Sequence, residues 1–308
     1  MVGKNPEEVI RVLNRRKEGK KDSHRVALVV EGGALRGVFG AGVLHSLAQA
    51  GYVNCFDVIA GTSSGALNIM YFLDNRLEVA ESIYRENALD PKCFSLKNVF
   101  NGLDIMNTEW LVREWILKHK KYDEQYVHAH PTEIYVANAD VETGLTRWFS
   151  SKKDIVPDFK EALVAGCATP LAFNKMYSIG TSKYSDGFIE SALPIDKAFE
   201  EDCTHVVVVT TRHLGEKKKT PGLLQKTYES FRIRRFGEGY KDRFVNQSCR
   251  YNEARISAVR GGDNMETIVM APQKKEDTVG IFAVRPESIS RSFYRGKEIA
   301  DKILSNSS

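Results

Sequence analysis

Three short runs of the chain are apolar at nearly every position: VALVV at 26–30, FDVIAG at 56–61 and HVVVVTT at 205–211. Segments this short and this uniform read as strands buried on both faces, the habit of parallel sheets. Helical spacing follows the first two, in GVFGAGVLHSLAQAG (37–51) and SSGALNIMYFLDN (63–75). Strand, helix, strand, helix within about 50 residues predicts a parallel sheet with right-handed crossovers. Upstream, NPEEVIRVLNRRKEG (5–19) sets Val9, Ile10 and Leu13 on one stripe, with Asn5 as cap and Pro6 at the first helical position.

LEVAESIYREN and TEWLVREWILKHK have helical spacing, and TEIYVANADVETGLTRWFS alternates on both sides of Glu142-Thr143-Gly144, which predicts a hairpin. The stretch 221–259 reads as helical and partly amphipathic, ETIVMAP as a late strand and SISRSFYRGKEIADKIL as a closing helix. There is no internal repeat, low-complexity tract or Pro-rich linker. One domain is therefore expected: an N-terminal helical segment (1–22), a core (23–212) and a basic helical extension (213–308) that completes it.

A chain of 308 residues can bury a sizeable core, and 42% hydrophobic with 27% charged residues excludes a disordered chain. No apolar run approaches the ~18 residues of a membrane-spanning helix. The charged N-terminus lacks the apolar centre of a signal peptide, so the expected location is the cytoplasm. Five scattered cysteines, without a C-x-x-C pair, fit reduced thiols; neither a disulfide framework nor a metal site is expected. The net charge of +4 is uneven: between Arg212 and Arg260 there are 13 Lys or Arg against 5 Asp or Glu. No RNA or DNA module matches the segment, so no nucleic acid is expected. An anionic lipid surface and simple solvation remain, and Lys217, Lys218 and Lys219 beside Leu223 and Leu224 suit peripheral contact with an anionic membrane.

The first strand runs into Glu31-Gly32-Gly33-Ala34-Leu35-Arg36-Gly37. A phosphate loop would need Lys and a hydroxyl residue after Gly37, where Val38 and Phe39 stand. A dinucleotide fingerprint needs an acid closing the second strand, whereas Asp57 opens it. Both nucleotide readings fail.

Gly61-Thr62-Ser63-Ser64-Gly65 satisfies G-x-S-x-G between a predicted strand and a predicted helix. At such an elbow the central Ser is held in a strained backbone clear of the sheet, and flanking glycines remove colliding side chains. Ser63 is thus the candidate nucleophile; Ser64 is off centre, and the bland alternative is a tight Gly/Ser turn. Acyl transfer creates an oxyanion, which the backbone amides of Gly32, Gly33 and Ala34 are suited to receive.

These two motifs together resemble the patatin-like phospholipases, whose loop typically reads D/E-G-G-G-x-R-G. ALVAGCATPLAF (162–173) is similar to the family's small-residue block, and Asp186-Gly187 in KYSDGFIESALP to its Asp-Gly dipeptide. The resemblance covers 26 to about 194. It implies a three-layer α/β/α sandwich with a mainly parallel central sheet, and a Ser63–Asp186 dyad cleaving acyl esters of phospholipids or lysophospholipids without metal or cofactor. Arg36, Gly37, Gly61, Gly65 and Gly187 would support the motifs. Two positions depart from the pattern: Ala34 replaces the third loop glycine, and Phe188 stands where Gly or Ala is usual, which is expected to narrow the acyl site.

Other arrangements stay open. Ser63, Asp186 and His213 follow the chain order of α/β-hydrolase triads, which would make a small-ester esterase. His205 would sit at the wrong end of the sheet, His45 on a packing helix, and Arg36 on an ordinary ion pair or near an anionic head group. Asn138, Asp140, Asn174 and Lys175 are candidates to line the cleft. A catalytically silent lipid-binding protein is the alternative from outside the enzymes. Oligomeric state is not legible.

Overall fold

The computed structural model describes residues 1–87, 90–95, 104–113, 123–154, 158–283 and 285–305. In chain order the elements are α1 (Pro6–Lys17), β1 (Val26–Val30), α2 (Gly37–Gln49), β2 (Val58–Thr62), α3 (Ser64–Leu73), α4 (Leu77–Asn87), α5 (Glu124–Ala129), β3 (Glu133–Asp140), β4 (Thr146–Ser150), α6 (Asp158–Ala165), β5 (Tyr177–Ile179), β6 (Ser182–Asp186), α7 (Phe188–Ser191), α8 (Ile195–Glu200), β7 (His205–Val209), α9 (Leu223–Arg232), α10 (Glu238–Arg260), β8 (Glu266–Met270) and α11 (Pro286–Ser305). The three uniformly apolar runs become β1, β2 and β7 at the centre of one sheet, in the order β5-β6-β3-β2-β1-β7-β8 with β4 also on β3. Strands β3, β2, β1, β7 and β8 are parallel to one another, while β4, β5 and β6 add antiparallel pairs beside β3. The sheet is therefore mixed, parallel at its centre.

Every residue of β1 is buried, because alternate side chains enter two different cores. Leu28 and Val30 pack with Phe39, Leu44, Ile69 and Phe293 on the α2, α3 and α11 side. Ala27 and Val29 face Ala198 and Tyr251 of α8 and α10. Helices on both faces make a three-layer α/β/α sandwich. Close packing of α2 on α11 depends on missing side chains: a methyl group at Gly42 would overlap the Phe293 carbonyl, and one at Gly296 the Phe39 carbonyl.

Three local expectations change. Asn5 is left-handed (φ 49°, ψ 54°) and its side chain caps nothing; α1 begins with the Asn5 carbonyl accepting from Glu8 N–H at 3.1 Å. The stretch 221–259 forms two helices, parted at Gly237, whose missing side chain lets it lie against the Glu142 backbone. Of the segment 108–120, Thr108–Trp110 is helical and 114–120 lies outside the described residues. Among the described residues no helix is long and apolar enough to cross a membrane.

Candidate active site

Between β2 and α3, Ser63 alone makes the turn, with φ 52° and ψ −128°. A non-glycine residue there costs about 1–3 kcal/mol, so the surroundings must impose it. They do so through contact. A Cβ on Gly61 would lie 2.8 Å from the Ala66 backbone, and one on Gly65 2.5 Å from the Val30 carbonyl oxygen. Any side chain at either position would lift α3 off the sheet. Thr62 Oγ1 donates to the Ser191 carbonyl at 2.6 Å and fixes the strand end. Ser64 points elsewhere: it is buried, and its hydroxyl accepts the Gly33 N–H at 3.1 Å.

Asp186 reaches this elbow by sheet register. β4 occupies one side of β3 along Tyr135–Ala139, with Asn138 opposite Arg147. β6, which sets Asp186 opposite Asn138, must therefore take the other side, where β2 ends with Thr62 opposite Ala137. The ends of β2 and β6 meet head-on beside β3. Gly187 permits the approach, since a Cβ there would lie 2.6 Å from the Ala137 carbonyl oxygen. Asp186 is 2% exposed, accepts the Phe188 N–H at 3.1 Å and donates its own N–H to Ala168 at 3.2 Å. Burial pushes its carboxyl from the usual 3.8 up to about 7, against the lowering hydrogen bonds of the Ser63 side chain and the Phe188 amide.

The glycine loop lies against the same elbow; a Cβ on Gly32 would lie 2.7 Å from the Thr62 carbonyl oxygen and 3.1 Å from Ser63 Cβ. Its three amides differ. Gly32 N–H donates to the Ala192 carbonyl at 3.1 Å, and Gly33 N–H to Ser64 Oγ. Ala34 N–H has no acceptor among the described residues, and Ala34 itself sits at φ 50°, the conformation for which the family's third glycine is suited. Gly37 opens α2 where a Cβ would meet Tyr84 Oη at 2.5 Å and Ser64 Oγ at 2.6 Å. Glu31 anchors the loop: its carboxylate accepts from Thr211 N–H (2.8 Å), Thr211 Oγ1 (3.0 Å) and Tyr251 Oη (2.8 Å).

Ser63 stands where two cavities join. An apolar slot of about 70 Å³ is bordered by Leu35, Leu67, Tyr71, Ile83 and Phe94. A chamber of about 520 Å³ is bordered by Asp186, Arg36, Arg212, Lys218, Phe188 and Tyr251. Phe188, expected to narrow the acyl site, lines the chamber and packs edge-on against Phe244.

The other sequence candidates lie apart. Among the described residues no histidine borders either cavity. The His213 carbonyl accepts from Arg255, and His45 faces Glu78 and Phe293. Asn138 donates to the Ala162 carbonyl, Asp140 caps the Glu142-Thr143 turn, Asn174 donates to Arg232 and Lys175 pairs with Glu109; none borders the chamber. Glu8, His24 and His205 offer ligand atoms within 4.8 Å of one another. They lie at the opposite end of the sheet from Ser63, and both Glu8 oxygens are bonded to Arg11. Arg212, Lys218 and Tyr251 carried no motif signal; the charge excess alone pointed to their segment. Lys218, expected at a membrane surface, turns inward to donate to Gln247 at 2.8 Å. Much of that charge is spent inside the fold, with Arg232 on Asp104 and Arg243 and Arg250 on Glu190.

The Escherichia coli (strain K12) protein YjjU, described as uncharacterized, is 26% identical over 197 residues, covering 61% of this chain and 52% of its own. The chain thus spans about half the length of that relative. VipD from Legionella pneumophila overlays with a TM-score of 0.44 at 13% identity, over 92% of this chain and 67% of that one. The patatin-like phospholipase family matches residues 28–199, from β1 through the elbow and Asp186 to α8, and the chain belongs to that family.

Proposed function

We propose that the protein is a serine acyl hydrolase acting on phospholipid or lysophospholipid esters through a Ser63–Asp186 dyad. The observation that carries this is a buried carboxyl, Asp186, raised to about 7 and bordering the same chamber as Ser63, the strained residue of a strand-to-helix elbow. A base with that affinity is matched to taking a proton at neutral pH. Asp186 accepts the Ser63 proton as Oγ attacks the ester carbonyl carbon. The carbonyl oxygen becomes an oxyanion facing Ala34 N–H, joined by Gly33 N–H, which rests on Ser64 until a stronger acceptor arrives. Each such donor contributes about 3–4 kcal/mol in the transition state. Collapse expels the alcohol, which takes the proton from Asp186, and water then frees the acyl group from Ser63 by the same route.

The two cavities suit an amphipathic ester, with the acyl chain toward the slot and the polar part in the chamber. Helix α9 walls the chamber with Gln225, Tyr228 and Glu229 and turns Leu223 and Leu224 outward, 82% and 88% exposed. With the exposed Lys217 and Lys219 beside it, this edge is the surface we assign to an anionic membrane.

The experiment is labelling with a fluorophosphonate alongside p-nitrophenyl butyrate hydrolysis. Wild type is expected to label and turn over, and Ser63→Ala to do neither while keeping its melting transition. Turnover by Ser63→Ala at the wild-type rate would sink the assignment.

A further inference from the structure

One wall of the chamber comes from beyond residue 199, where the family match ends. It brings Arg212, Lys218 and Tyr251 opposite the glycine loop and Arg36. Arg36 forms no ion pair among the described residues, and its buried Nε has no hydrogen-bond partner. Lys218 donates to the neutral Gln247 and pairs with no carboxylate among the described residues; its Nζ lies 5.6 Å from the Tyr251 ring centroid and 5.9 Å from that of Phe188. Arg212 is shared with Glu216 at 2.8 Å.

The acids facing these cations are engaged elsewhere. Glu31 holds Thr211 and Tyr251, Glu229 accepts from Gln225 at 2.8 Å, and Asp186 accepts the Phe188 N–H at 3.1 Å beside Ser63. Burial and the neighbouring positive charges of Arg212 and Arg36 lower Lys218 to about 8. Mutually repelling cations out of bulk water, two of them without a carboxylate partner among the described residues, are unfavourable, and an anion entering the chamber relieves both the desolvation and the repulsion.

We propose that Arg36, Arg212 and Lys218 bind the phosphate of the substrate's head group and select anionic phosphoglycerides over zwitterionic ones. This rests on the hydrolase reading. Guanidinium and ammonium groups supply the charge-assisted hydrogen bonds that phosphate oxygens accept. A choline or ethanolamine nitrogen finds no free partner: the carboxylates are bonded, and Lys218 already stands over the Phe188 and Tyr251 rings that would receive a cation. The proposed acyl chemistry lies within the match over 28–199, whereas two of the three head-group cations, Arg212 and Lys218, lie outside it.

The test uses the full chain as wild type, Lys218→Met and Lys218→Arg. It measures kcat/KM on monomeric dihexanoyl phosphatidylglycerol and dihexanoyl phosphatidylcholine, and glycerol 3-phosphate binding by calorimetry. Loss of a charged hydrogen bond in Lys218→Met is expected to lower the anionic-to-zwitterionic ratio about 10- to 100-fold, mainly through KM. Lys218→Arg should keep most of the preference, and glycerol 3-phosphate binding should weaken in parallel with the ratio. A wild-type ratio near one, or a ratio unmoved by Lys218→Met, overturns the head-group site. Inorganic phosphate bound as tightly as glycerol 3-phosphate overturns it in favour of a free-anion site. If neither lipid nor p-nitrophenyl butyrate is cleaved, the hydrolase reading falls and calorimetry decides the anion site alone. Glycerol 3-phosphate binding that is lost in Lys218→Met then upholds it, and no binding by wild type overturns it.

Discussion

In the proposed dyad Asp186 ties catalysis to instability, and Asp186→Asn separates them. Burial raises this carboxyl from 3.8 to about 7, so between those values the folded chain holds a proton that the unfolded chain releases. The raised affinity contributes stability in full below about pH 4, and that contribution is lost as pH rises toward 7. At about 1.4 kcal/mol per pH unit, keeping the carboxylate ionised in the fold costs about 4 kcal/mol above pH 7. Asn has the shape of the neutral acid and keeps a carbonyl oxygen for the Phe188 N–H. Asp186→Asn is therefore expected to abolish ester turnover yet raise the melting temperature at pH 8.5, by up to roughly 8 °C at about 2 °C per kcal/mol for a chain of this size. At pH 4 the difference should nearly vanish, because wild type is then protonated in the fold. In wild type, kcat/KM should rise with pH, as the base is about 10% ionised at pH 6 and about 90% at pH 8. Scanning calorimetry at the two pH values and a pH–rate profile on p-nitrophenyl butyrate read both effects. A variant no more stabilised at pH 8.5 than at pH 4, or a rate falling between pH 6 and 8, would refute the reasoning.

The loop amides give a paired prediction. Ala34→Gly should stabilise the fold by about 0.5–1 kcal/mol in a denaturant titration, because the residue sits at φ 50°. Gly33→Val should depress kcat more than it raises KM, since its Cβ would lie 2.8 Å from Thr211 Oγ1 and displace the donor; a pure KM effect would count against the loop's role in the transition state. His213→Ala should keep most of the wild-type turnover, and a variant as inactive as Asp186→Asn would revive the triad. Replacing Leu223 and Leu224 by Ser together with Lys217 and Lys219 by Gln should weaken co-sedimentation with anionic vesicles, at about 1 kcal/mol per lysine near the surface. Unchanged sedimentation at low and high salt would reduce this edge to solvated surface.

Local sterics were legible in the chain itself. A strand, a Ser between spaced glycines and a helix determine an elbow, because the colliding atoms belong to residues a few positions away. The apolar runs likewise determined the central strands, since two-sided burial admits no polar alternation. The hairpin β5–β6 was not legible: two short strands with a polar majority acquire their place only by pairing with each other and with β3. Strand order alone brought Asp186 to Ser63, 123 positions apart in the chain, and only the helices packed around it removed the water that would have kept its carboxyl acidic. Tertiary structure also decided the status of each amide, engaging Gly32 with Ala192 and leaving Ala34 without an acceptor among the described residues. It turned Lys218 inward and set Tyr251 on Glu31, 220 positions away. Desolvation and charge pairing depend on which distant groups the fold assembles, so a sequence with the right motifs specifies the turn, and the packed sheet specifies its chemistry.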